Sequence, residues 1–170
     1  MESKYFYSTE VEWTGERKGN LQSADLPHIQ VATPPEFKGH EGIWTPEHLF
    51  VAAISSCFMT TFLAIAENSK LDFANFKCQA KGKLEKLEGQ GFMMTEVILH
   101  PKLVIRNARD AERATRILEK AERNCLISNS VKSEGRLQPE VTFAQESTQE
   151  IQPLFSQPPA SGGGWHETQL

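Results

Sequence analysis

The stretch AAISSCFMTT, residues 52–61, holds Cys57 among small and apolar residues with no charge beside it. Cys125 stands in ERNCLISNS, 68 positions further on, and Cys78 in FKCQAKG. A cysteine can be a small hydrophobe that fills a core, or a nucleophile that passes through a sulfenic acid to a disulfide. The second role needs the thiolate, and apolar surroundings raise a thiol's pKa. Cys57 can therefore react only if a cation stabilises its anion. Arg17, in the turn-like TGERKG, is a cation of suitable chemistry, and Glu47, at the start of TPEHLF, could hold a guanidinium in place but not itself favour a thiolate. Taken singly they also read as a surface arginine and a helix-start carboxylate, and sequence distance alone does not pair the cysteines. Cys78 alternates inward with Phe76 and Ala80 along one strand face, with no cation nearby in sequence, and reads as structural.

The elements that must position these groups are legible from periodicity. Tyr5, Tyr7, Thr9, Val11 and Trp13 alternate with Phe6, Ser8, Glu10 and Glu12, which predicts a strand. Residues 18–24 and 27–33 read as two further strands of a meander, and TPPEFKGHEG as a loop. Thr45 can cap a helix, Pro46 suits its first position and Glu47 favours the positive end of its dipole, so a helix is expected over 46–66. Two strands, FKCQAKGKLEKLE and GFMMTEVILHPKLVI, should form a hairpin about Gly89, Gln90 and Gly91. A second helix, capped by Asn107, is expected over 108–125 with Ala114, Leu118, Ala121 and Cys125 on one buried stripe. A last strand, LQPEVTFAQ, closes a domain over residues 1–146. Residues 147–170, rich in Ser, Gln, Pro and Gly, read as a tail whose Leu154, Phe155 and Trp165 could anchor it.

The fold class is α+β: an antiparallel sheet wrapped around buried central helices. The first helix is apolar all round, and such a helix has to be covered on every side. Its run Leu49 to Ala66 contains 18 residues and no charge, the lower limit for crossing a bilayer. Ser55, Ser56, Thr60 and Thr61 within it, and the absence of basic flanks, favour a core helix over a membrane span. A formal net charge of -4 gives no basic footprint for nucleic acid or anionic lipid. Five scattered histidines and three cysteines show no HxxxH or CxxC spacing, so no metal or other cofactor is expected. The N-terminus has no apolar export segment, which points to the cytoplasm, where a disulfide is transient rather than structural.

Four stretches occur in a telling order: GERKG, PEHLF, AISSCF and CLISN. Together they resemble the OsmC/Ohr family of thiol peroxidases, over about residues 4–144. One departure is visible, Leu126 standing where the family usually has proline. The resemblance implies that Cys57 is the peroxidatic thiol, Cys125 the resolving thiol, and Arg17 and Glu47 the groups that prepare the site. It implies an enzyme that reduces organic hydroperoxides to alcohols, with a dithiol or a lipoylated protein as electron donor. Phe50, Phe58, Met59 and Phe62 surround the thiol in sequence and could form an apolar mouth for such substrates, or equally plain core. A redox sensor or stress-related binding protein of the same fold, in which the pair oxidises but turns over poorly, is the alternative. A homodimer with silent cysteines would keep the apolar helices but have no need of Arg17.

If Glu47 serves Cys57, one distance matters. The two are ten positions apart on one expected helix, about 15 Å along its axis. No glutamate side chain spans that. An intertwined homodimer, in which each chain's Glu47, with Arg17, lies beside the other's Cys57, resolves the conflict.

Overall fold

The computed structural model describes residues 3–144; the expected tail, with Leu154, Phe155 and Trp165, lies outside the described residues. Strands β1 (Glu10–Gly15), β2 (Lys18–Gln22) and β3 (Ile29–Ala32) form an antiparallel sheet in the order β1-β2-β3. The first strand starts at Glu10 and not at Tyr5, because β2 ends where Glu10 pairs with Gln22 and the ladder goes no further back. Tyr5, Phe6 and Tyr7 are correspondingly exposed. A 3-10 turn, Pro35–Phe37, then leads to helix α1 (Pro46–Asn68).

Helix α1 begins as its sequence dictates. Thr45 is extended and its side chain accepts the His48 N–H, Pro46 takes the first position, and Glu47 occupies the first turn. After it, β4 (Phe73–Leu87) and β5 (Gly91–Ile105) pair as a long antiparallel hairpin, with Gly89 and Gly91 at positive φ in its turn. Asn107 caps a short 3-10 turn, Ala108–Asp110, which runs into helix α2 (Ala111–Arg123). The single last strand of the sequence reading is two, β6 (Glu134–Leu137) and β7 (Glu140–Phe143). The break falls at Gln138 and Pro139, the proline having no N–H for a ladder.

Both β6 and β7 pair parallel to β5, so the second sheet is mixed rather than wholly antiparallel. The reason is the crossover: α2 carries the chain back along the sheet, which a parallel neighbour requires. Ala114, Leu118 and Ala121 line the buried face of α2, and Cys125, just past its end, continues that stripe with no exposure.

On α1, Ile54, Phe58, Phe62 and Ala66 follow at four-residue intervals and pack into the core with Val97, Leu99, Leu103 and Ile105 of β5. Phe62 stacks on Phe76 of β4 with ring centroids 4.6 Å apart. The expectation that this helix is covered on every side is not met within one chain. Ala53, Ser56, Met59, Thr60, Leu63 and Ala64 form an exposed stripe along the helix that the described residues leave uncovered. The helix is long and apolar enough to cross a membrane by length and composition, but its other face is seated on the sheet.

Candidate active site

Two groups of the expected residues are brought together, at opposite ends of one stretch of α1. The first is the thiol pair. Cys57 sits on the side of α1 that meets the turn following α2, one turn beyond Ile54. The Cys125 thiol, wholly buried, donates to the Ile54 carbonyl at 3.9 Å, one turn before Cys57 on the same helix, and is near enough to influence the Cys57 sulfur. The Ile127 N–H donates to Cys57 Sγ at 3.4 Å. All three cysteines are free thiols.

These contacts separate the two thiols chemically. For Cys57, burial is the largest single influence and pushes its pKa up. It is outweighed by hydrogen bonds from the Ile127 N–H, the Cys125 thiol, the Thr61 hydroxyl and the Leu126 N–H, which together leave the thiol below its ordinary value. Cys125 is raised, first by burial, with the neighbouring Cys57 sulfur adding to the effect against hydrogen bonds from Ser128. A pair split in this direction has one member suited to attack and one that stays protonated until called on. Cys78 is pushed up to about 11 by burial against the sheet and belongs to the core.

The second group lies at the N-terminal end of α1. Arg17 occupies the β1–β2 turn, where Gly15 at φ 128° and Glu16 at φ 50° take the positive φ that reverses the chain. Its Nη1 donates to the Phe37 carbonyl at 2.9 Å. Arg17 and Glu47 line one cleft of about 550 Å³ with Trp13, Phe37 and Pro46. Oxygen Oε2 of Glu47 is buried without a hydrogen-bond partner among the described residues. Helix α1 is unbroken between Glu47 and Cys57, so within one chain the cleft and the thiols stay about 15 Å apart along the axis.

Of the four aromatic and sulfur-bearing neighbours expected to form a mouth, Phe58 and Phe62 are fully buried core residues that pack against Phe76. Phe50 lines a smaller cleft with Phe37, Glu47, Leu84 and Phe92, and Met59 is exposed on the open stripe of α1. Sequence reasoning missed the donors to Cys57. Thr61 was readable, being one helical turn beyond the cysteine. The main-chain N–H groups of Leu126 and Ile127 carry no sequence signal, because almost every residue has one.

Residues 39–140 match the family model described as OsmC-like protein. The chain belongs to the OsmC-like family. A curated relative named organic hydroperoxide resistance protein-like 2, from Staphylococcus epidermidis, is 31% identical over 139 residues, covering 80% of this chain and 95% of the relative. Among solved structures, an OsmC-like protein of unknown function from Vibrio cholerae superposes with a TM-score of 0.74 at 25% identity, over 80% of this chain and 99% of that one. An organic hydroperoxide resistance protein from Elizabethkingia anophelis gives a TM-score of 0.67 at 25% identity, over 85% and 100% of the two chains. The OsmC-like match spans α1, the β4–β5 hairpin, α2 and β6, and so contains Glu47, Cys57 and Cys125, while Arg17 lies upstream of it.

Proposed function

We propose that this OsmC-like chain is a thiol-dependent peroxidase that reduces organic hydroperoxides to alcohols. The observation that carries the reading is the thiol pair: Cys57, whose sulfur accepts the Ile127 N–H at 3.4 Å, beside the buried Cys125 at the Ile54 carbonyl, surroundings that lower the first thiol's pKa and raise the second's. The Cys57 thiolate attacks one oxygen of ROOH. An S–O bond forms as the O–O bond breaks, the alkoxide takes a proton and leaves as ROH, and Cys57 becomes a sulfenic acid. The Cys125 sulfur then attacks Cys57, hydroxide departs as water and a disulfide remains. A dithiol donor, a lipoyl group being one of suitable chemistry, returns both thiols by exchange and is itself oxidised to a disulfide.

Arg17 and Glu47 complete the site from a second copy of the chain. The exposed stripe of α1 and the uncovered three-stranded sheet, with Val11 and Trp13 exposed, are apolar surfaces that a partner would bury. In such a homodimer the Arg17 fork faces the developing negative charge on the peroxide, and Glu47 holds the guanidinium and takes up the hydroperoxide proton. Met59 and Phe50 are then the apolar groups placed to meet the alkyl part of the substrate.

The test is steady-state consumption of tert-butyl or cumene hydroperoxide against hydrogen peroxide, with dihydrolipoamide as donor. Turnover favouring the organic substrates, lost in Cys57→Ser, supports the enzyme. A single stoichiometric oxidation without turnover replaces it with a redox sensor of the same fold.

A further inference from the structure

Beyond the end of α2, Cys125 does not open into a loose loop. The segment Cys125–Ser130 is a compact turn held by its own hydrogen bonds: Asn129 N–H to Cys125 O at 3.0 Å, Ser130 N–H to Ile127 O at 3.0 Å, and the Ser130 hydroxyl to Leu126 O at 2.8 Å. Asn129 Nδ2 ties the turn back to α2 through Arg123 O at 3.0 Å. What this turn presents to α1, besides the Cys125 thiol, is the Ile127 N–H aimed at Cys57 Sγ.

We propose that the turn Cys125–Ser130 activates the first thiol as well as supplying the second: the Ile127 N–H stabilises the Cys57 thiolate, and Ser130 is a positioning residue that fixes that N–H by holding the Leu126 carbonyl. The proposal rests on Cys57 being the nucleophile. Its physical basis is that a thiolate formed in apolar surroundings needs donors that cost no reorganisation, and a main-chain N–H on a hydrogen-bonded turn is already in place. The groups facing the Cys57 sulfur are the Thr61 hydroxyl from α1 itself and, from the turn, the Cys125 thiol with the Leu126 and Ile127 N–H groups. Cys125 is the titratable one, and among the described residues no charged side chain of the same chain joins them. A cation brought by a second chain would add to the turn's effect, which each chain carries for itself.

The experiment follows alkylation of Cys57 by iodoacetamide as a function of pH, in the full-length reduced chain, reading the Cys57 peptide by mass spectrometry. Ile127→Pro removes the donor, and the native φ of −69° is one that proline adopts. It should raise the midpoint of the alkylation profile by about one pH unit and slow alkylation at pH 7 about tenfold, while Ile127→Val should match the wild type. Ser130→Ala should shift the midpoint in the same direction by a smaller amount, with a roughly threefold slower rate at pH 7, and Ser130→Thr, which keeps the hydroxyl, should restore it. Ser130→Ala alone carries the test if the proline variant fails to fold. Unmoved midpoints in the folded variants, with hydroperoxide turnover intact in the wild type, overturn this inference and leave the peroxidase reading standing. Shifted midpoints in a protein that does not turn over hydroperoxides uphold the inference and remove the peroxidase.

Discussion

Two inactive chains should make an active mixture. Cys57→Ser removes the attacking thiol, and Glu47→Ala removes the carboxylate at the other end of the same ten-residue span of α1. Because that span is unbroken helix about 15 Å long, no motion of the Glu47 side chain brings it to its own Cys57. In a two-fold dimer the heterodimer has one site with both mutations and one with neither. Random exchange of equal amounts yields about one half heterodimers, each with one of two sites intact, so the mixture should recover about one quarter of wild-type activity. The assay is consumption of cumene hydroperoxide with dihydrolipoamide, after co-refolding of differently tagged chains and purification through both tags. The doubly tagged fraction should hold about half the wild-type activity per dimer. An inactive doubly tagged dimer would refute the composite site.

Three further outcomes follow from the packing and the thiol environments. Leu63→Glu places a charge on the exposed apolar stripe of α1 and should leave the chain folded but shift it to monomer in sedimentation, with loss of peroxidase activity. Phe62→Ala empties a fully buried site that stacks on Phe76 and should cost about 3–5 kcal/mol in denaturant unfolding. In the reduced protein Cys57 should alkylate well ahead of Cys78. Thiolate reactivity rises with pH through each group's own pKa, which is depressed for Cys57 and raised to about 11 for Cys78, so the gap should be widest near neutrality and narrow as the solution becomes strongly alkaline.

The parts of this fold that were legible in the sequence are those written in local chemistry. Thr45, Pro46 and Glu47 announce the start of α1, and the Ala114, Leu118, Ala121, Cys125 stripe marks the buried side of α2. The hairpin turn at Gly89 and Gly91 is equally local. What was not legible depends on partners distant in sequence. The length of β1 is set by where β2 ends, and the parallel placement of β6 and β7 by the α2 crossover. Phe58 and Phe62 could not be told from pocket residues, since an α1 apolar on every side has no pattern that says which face meets the sheet. Around Cys57, the amides of the turn that follows α2 were not legible, because a main-chain N–H leaves no mark in the sequence.

The position of the thiol pair in the topology ties oxidation to stability. Between Cys57 and Cys125 lie the second half of α1, both strands of the long hairpin and all of α2, which together make most of the core. A bond between the two sulfurs closes a loop of 68 residues and strips conformational freedom from the unfolded chain, an effect worth about 4 kcal/mol in the chain-entropy model. In the proposed cycle each turnover would take the molecule between a cross-linked form and a looser one. Hydroperoxide would protect its own catalyst from unfolding and proteolysis, and the supply of reductant would set the lifetime of the protein as well as its rate.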